Sequence, residues 1–543
     1  MRMGLGLSLI VVALACQGTP EESLPETINA ESLMEHITFL ASDDLEGRAP
    51  GSAGEQKTID YLTASFRSFG LAPGNPDGTY LQKVPLIRLT RAEPRSLVLR
   101  RSGEVTELEP VRDFAASTQR VEEEIQTEGE LVFVGYGVIA PEYQWDDFKG
   151  MDLRGKILLM LVNDPPGSAG EDIFGGPAMT YYGRWTYKYE IAAQLGAAGA
   201  FVIHQTGPAG YPWEVIADTG AVKFVLSNAD AQENLGVEGW LHVDAAKKIL
   251  EMVDQDFDEL YAAAATRTFQ PVPLGITAQI DLRNSIHKLD SANVVAKLEG
   301  TESPEDSIVF IAHWDHLGID ESLEGDQIFN GALDNASGTA GLLEIAQAFG
   351  RLEEKLPRTV LFLAVTAEEQ GLLGSRYYAQ NPLYTPEKTV AAVNMDGLNL
   401  WGLTRDVTVA GMGQSTLDEL AARIAAEQGR VLRPDPEPEK GFYYRSDHFE
   451  FAKIGVPAFD PDAGIEYINR PEGWGLEMRD RYTAEDYHKP SDEVKDYWDL
   501  SGAVEDLELF YRMGYELAAG TQWPTWSETS EFRAIREQSQ KEP

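Results

Sequence analysis

The chain is poor in three things. It has one cysteine in 543 residues, Cys16, so no intramolecular disulfide can brace the fold. It is poor in positive charge: 45 lysines and arginines face 88 aspartates and glutamates, a formal net charge of −43. Nucleic-acid binding calls for a basic footprint, and this composition argues against it. The surplus of carboxylates reads instead as a soluble, self-repelling surface. Past its first residues the chain also lacks an internal repeat and any apolar run long enough to cross a bilayer. What it has is a hydrophobic fraction of 43%, ample for a large core, and a length that predicts more than one domain.

Three short apolar runs end in side chains of metal-ligand type. Ile308–Ala312 leads into His313 and Asp315, Val360–Val365 into Glu368 and Glu369, and VAAVNMDGLN (390–399) carries Asp396. Between the first two, Asp334 stands just ahead of a helical pattern, Ala336–Phe349, and a late loop offers His488. In an open α/β sheet, ligands gather beyond the carboxyl ends of the strands. The layout therefore aims a histidine and several carboxylates at one point. Zinc accepts imidazole nitrogen and carboxylate oxygen together. His313, Asp334, Glu369, Asp396 and His488 make five ligands, enough for two ions if one carboxylate is shared. Asp315, two residues beyond His313 on an extended chain, is expected to accept the other imidazole N–H and fix the tautomer. Of the adjacent pair Glu368–Glu369, one is expected to bind metal and the other to stay free as a general base.

Taken in order, the chain opens with Arg2 and an apolar run, Leu5–Ala15, too short to span a bilayer. Small residues then precede Cys16. The junction resembles the lipobox of a bacterial lipoprotein, with Ala13 where leucine is usual; the plain alternative is a secretory signal. Both predict export of the protein, and the first adds a lipid anchor on Cys16. Residues 17–31 are acidic, hold two prolines and show no apolar periodicity, as a tether would. Two helices around a Gly/Pro loop, Gly47–Gly54, begin the main domain (32–105), which resumes at 286–520. Residues 106–285 read as an inserted β-rich unit, with runs at 131–138, 155–162 and 199–205 and a helix at 191–199. His204 and His242 lie in it singly, without ligand types beside them. An amphipathic helix is expected at Ser415–Gln428, a long irregular segment at Asp460–Tyr487 and a helix at Leu500–Leu517. The tail, 521–543, is expected to be loosely held.

HWD, GALDNASG, AEEQGLLGS, NMDG, YYRSDHFEFAKIGVPAF and YHKPSD follow one another in this sequence. In type and order they resemble the motifs of the co-catalytic di-zinc aminopeptidases, metallopeptidase clan MH, over about 32–86 and 291–517. The run GYG…DLRGKILLMLV…AAQLGAAGAFVI resembles the protease-associated (PA) domain often inserted in such enzymes. The resemblance implies an α/β fold: an open, doubly wound, mixed and mostly parallel sheet, with an inserted β-rich α+β PA domain. It implies two zinc ions, one on His313 and Asp396, the other on Glu369 and His488, with Asp334 bridging. Glu368 matches the general base and Tyr443 the tyrosine that steadies the tetrahedral oxyanion. The bond Asp334–Asn335 matches a cis peptide, whereas His316 and His448 match no ligand. The implied activity is removal of N-terminal residues from peptide substrates. The alternative on the same scaffold is a carboxypeptidase or dipeptidase, which needs a cationic pocket; Arg445, Arg470, Arg479 and Arg481 are its candidates. A glutaminyl cyclase would use one zinc and leave part of the set idle. A non-catalytic binding protein would need none of it. The segment 460–487 is expected to lie over the site, as a specificity element or as a structural lid. No oligomeric state follows from these residues.

Overall fold

The computed structural model describes residues 28–541, apart from 167–172, 175, 177, 210, 218–221 and 228–233. The leader with Cys16 and the tether as far as residue 27 lie outside the described residues. The last part of the expected tether belongs to the fold: Ile28 is buried, and the Asn29 side chain accepts from the backbone of Glu31 and Ser32. It thereby caps a helix, Ala30–Leu40, that starts slightly earlier than the sequence pattern indicated.

Three parallel strands sit side by side in the middle of a mixed sheet that counts 16 strands among the described residues: Thr389–Asn394, Ser303–His313 and Arg358–Val365. Their side chains alternate between faces, and both faces are covered. Ile308, Phe310 and Ala312 join a core built with the helices Ala30–Leu40, Ala53–Ser68, Gly338–Gly350 and Ser501–Ala519. Val309 and Ile311 join another, with Tyr378 and Phe451 of the helices Leu373–Gln380 and His448–Lys453. Burial on both sides is why these strands read as unbroken apolar runs. No helix among the described residues is long and apolar enough to cross a membrane.

A second core gathers residues between Leu97 and Leu282. It holds four parallel strands, Glu124–Phe133, Ile157–Leu161, Gly199–His204 and Val237–His242. The two cores are joined by a pair of long antiparallel strands, Leu81–Arg101 and Val272–Leu298, in register from Val294↔Leu81 to Thr277↔Arg100 with a shift at Asp281/Arg283. The insert core thus begins at Leu97 rather than at 106, because one strand runs from the first core into the second without a break.

Two expectations are corrected here. The tail is packed: Trp526 and Phe532 are buried beside Tyr443, Tyr444 and Phe449, and the Trp526 indole donates to the Gly455 carbonyl at 2.9 Å. The segment 460–487 is not irregular throughout, since it forms the helix Trp474–Glu485. That helix has no apolar stripe and no side-chain cap, and its N-cap is Gly473, so it leaves little trace in the sequence.

Candidate metal centre

The parallel register fixes where the ligand types meet. His313 pairs with Val365 on one side, and Ile311 pairs with Asn394 on the other. The residues just past these ends, Glu368, Glu369 and Asp396, therefore emerge at the same edge as His313. Asp334 arrives from an irregular turn, residues 332–337, entered through Gly331 at φ 53°. A Cβ on Gly331 would lie 2.2 Å from the Asp334 carbonyl oxygen, so only glycine fits that entry. The Asp334–Asn335 bond is cis.

Five side chains converge into two groups that share Asp334. Nε2 of His313 lies 3.3 Å from Asp334 Oδ1 and 3.1 Å from Asp396 Oδ1. Nε2 of His488 lies 3.3 Å from Asp334 Oδ2 and 3.0 Å from Glu369 Oε2. One imidazole N–H cannot serve two carboxylates well, but one cation can. Two ligands held at about 2.0–2.1 Å by tetrahedral zinc are roughly 3.3 Å apart, which is the spacing found. The donor set, imidazole nitrogen with carboxylate oxygen, also suits that ion. Ligand atoms of His313, Asp334 and Glu369 all fall within 4.8 Å of one another.

The adjacent glutamates are separated by their surroundings. Burial and Asp334 push Glu369 up, but His316 and His488 outweigh them and bring it to about 2. Burial drives Glu368 well above the usual carboxylate range, with Asp396, Glu369 and Asp447 acting in the same direction against His313. Two neighbouring carboxyls are thus pushed in opposite directions, Glu369 towards its ionised form and Glu368 towards its protonated one. Burial lowers His488, yet Glu369 and Asp334 reverse this and raise it to about 10.

Asp315 departs from its expected contact. The strand stops at His313, so alternation no longer governs the next residues. Nδ1 of His313 lies 3.2 Å from the Asp315 carbonyl oxygen and 4.0 Å from its carboxylate. The carboxylate instead accepts from the Glu368 backbone N–H at 3.1 Å, and burial raises it to about 8. Tyr443 is not offered to the cleft. Its ring packs on Tyr444, His448 and Phe532, and its hydroxyl is buried without a partner. The short turn Phe442–Tyr444, entered through left-handed Gly441, directs it into that aromatic cluster. His448 is buried beside Asp460, outside the ligand set, and His204 packs among Tyr211, Trp213 and Trp240.

Four supporting residues were given no role from the sequence, His316 being noted there only as matching no ligand. Asp492, inside YHKPSD, accepts from the backbone N–H of Leu333 and Asp334 at 3.0 and 3.1 Å and from the Tyr482 hydroxyl at 3.1 Å. Buried Arg48 donates to the carbonyls of Trp314, Leu40, Asn330 and Gly331, tying the loop after His313 to the one before Asp334. Ser446 donates to Asp396 Oδ2 at 2.5 Å. His316 Nδ1 lies 2.5 Å from Glu369 Oε1. Only the motif around Asp492 and Ser446 gave a signal; Arg48 and His316 are made relevant by folding.

Comparison with known proteins agrees with this geometry. Residues 293–510, the stretch that holds all five ligand types, match the model of peptidase family M28. Among curated proteins, a probable zinc metalloprotease of Pyrenophora tritici-repentis is 36% identical over 105 residues, 19% of this chain and 21% of that protein. The mouse aminopeptidase NAALADL1 is 31% identical over 129 residues, 23% of this chain and 16% of that protein. The chain thus spans about a fifth of the length of the curated relatives it matches. Among solved structures, the aminopeptidase from Aneurinibacillus sp. strain AM-1 is similar over 92% of this chain and 96% of its own, with TM-score 0.51 and 20% identity. That likeness extends the shared α/β fold through the insert.

Proposed function

We propose that the protein is a zinc-dependent exopeptidase, an aminopeptidase that removes N-terminal residues from peptides at a carboxylate-bridged two-ion centre. The observation that carries the proposal is the pair of imidazole–carboxylate groups sharing Asp334. His313, Asp334 and Asp396 would hold one ion, and Asp334, Glu369 and His488 the other. Bound zinc supplies Lewis acidity, which polarises a peptide carbonyl and makes water easier to deprotonate. Glu368 takes the proton of the attacking water and returns it to the departing amine. Ser446 orients Asp396, and the Asp315 carboxylate holds the backbone of Glu368 in place. The insert is taken as a PA-like domain, and the leader as an export signal that leaves a lipid anchor on Cys16.

The arginines favour the aminopeptidase over the carboxypeptidase. Arg479 pairs with Asp462 at 2.7 Å and Arg481 with Glu485 at 2.8 Å, while Arg470 lies over the Trp474 ring. Arg445 lies over the Phe442 ring, so all four candidates for a C-terminal carboxylate pocket have partners elsewhere.

The test is peptide cleavage by zinc-loaded protein, with free, N-acetylated and C-terminally amidated peptides. Cleavage should be lost on acetylation, kept on amidation and reduced by about 100- to 10,000-fold in Glu368→Gln. Loss on amidation would move the assignment to a carboxypeptidase. Turnover of no peptide would point to a binding protein.

A further inference from the structure

Between the insert and the turn that carries Glu368 and Glu369 lies a cavity of about 340 Å³, within the roughly 300–1,000 Å³ of small-ligand pockets. Trp185, Tyr189, Tyr211 and Trp240 line it from the insert; Glu369 and Gly371 line it from the catalytic side. Glu369 therefore belongs both to this cavity and to the ligand cluster.

On the insert side the described wall presents rings and no free charge. The Tyr189 hydroxyl donates to the Gly239 carbonyl at 2.7 Å. Lys223, also in the wall, pairs with Glu238 Oε2 at 2.7 Å, and Gln119 donates to Glu238 Oε1 at 2.7 Å, so both carboxylate oxygens are engaged. An uncharged occupant with a large apolar surface matches such a lining. The wall is also registered to the catalytic turn. The insert strand Val222–Leu226 pairs with Leu86–Thr90, and its Phe224 and Leu226 pack with Ala367 and Leu373, on either side of the two glutamates.

We infer that this cavity receives a bulky apolar or aromatic side chain of the peptide substrate, next to the scissile bond. The insert, rather than the metal-bearing sheet, then sets residue preference. The inference rests on the peptidase reading, and it adds the substrate class.

The experiment compares zinc-loaded full-length protein on Ala-Ala-Ala, Phe-Ala-Ala and Ala-Phe-Ala. Wild type should prefer one of the phenylalanine peptides over Ala-Ala-Ala by at least tenfold in kcat/KM. Ser117→Phe, which adds a ring where Ser117 lines the cavity, should shrink that preference to within about twofold. Tyr211→Ala, which widens the cavity, should weaken it several-fold and carries the test if Ser117→Phe fails to fold. Equal rates on all three peptides in wild type, or a phenylalanine preference unchanged in both variants, would overturn the inference. If no tripeptide is cleaved, the peptidase reading falls instead. The pocket is then decided by tryptophan fluorescence of zinc-loaded Glu368→Gln titrated with the same peptides. A phenylalanine-dependent change that is lost in Trp185→Phe/Trp240→Phe supports the pocket, and no such change overturns it.

Discussion

Asp492 touches no substrate in this reading, yet it holds the two backbone N–H groups that present Asp334. Replacing it by alanine leaves those buried donors unpaired, a cost of about 1–3 kcal/mol. Losing an outer-shell support of this kind typically weakens metal affinity by about 10- to 100-fold. Asp492→Ala should therefore lower both the thermal midpoint and the zinc affinity measured by competition with a chromophoric chelator; unchanged affinity would contradict the clamp. His448 makes a different prediction. Burial holds it at about 3, against 6.5 for a free histidine. Between those values the unfolded chain binds more protons than the folded one, so stability rises with pH. The contribution is complete above 6.5 and is lost as the pH falls towards 3. His448→Gln should lose less stability than wild type between pH 6 and pH 4 in urea unfolding. Equal losses would show that this histidine is not the buried neutral group described.

Elements differ in how clearly the sequence announced them. The strands ending at His313, Val365 and Asn394 were legible because burial on both faces leaves an unbroken apolar run, and their parallel register brings the following ligands together. The helix Trp474–Glu485 was not legible, since it sits on the surface with neither stripe nor cap. Tyr443 came from the motif resemblance alone, and a motif does not give the direction in which the turn Phe442–Tyr444 points its ring, here into the aromatic cluster. Arg48 could not be found at all, because its carbonyl partners near residues 314 and 330 are distant in sequence. The tail was misjudged because a Trp/Ser/Glu composition hides anchors that work singly. Trp526 and Phe532 enter the aromatic cluster, and Arg536 donates to the Pro386 and Thr389 carbonyls at 2.5 and 2.9 Å. Ending the chain at residue 520 should destabilise the lobe that carries the ligand cluster by more than the cost of one buried aromatic ring, about 3–5 kcal/mol. A calorimetric transition unchanged by the truncation would refute this.

At the scale of the whole molecule, a metal held by the proposed ligands would tie together segments far apart in the chain, from His313 to His488. A site at hundredfold excess of zinc over its Kd adds about 2.7 kcal/mol to folding stability. Chelation should accordingly abolish turnover and lower the unfolding temperature, and zinc should restore both. A melt indifferent to chelator would argue against a resident ion. The long paired strands have another consequence. The chain leaves the first lobe along Leu81–Arg101 and returns along Val272–Leu298, with Arg91 opposite Asn284. A tight hairpin at that rung would keep the pairing of Leu81–Thr90 with Ser285–Val294, but it would strip from Leu86–Thr90 the insert strand Val222–Leu226. The insert is therefore sewn to the first lobe twice, so whoever exchanged it would keep the register of the central sheet yet uncover one edge of Leu86–Thr90 and the packing on either side of the two glutamates.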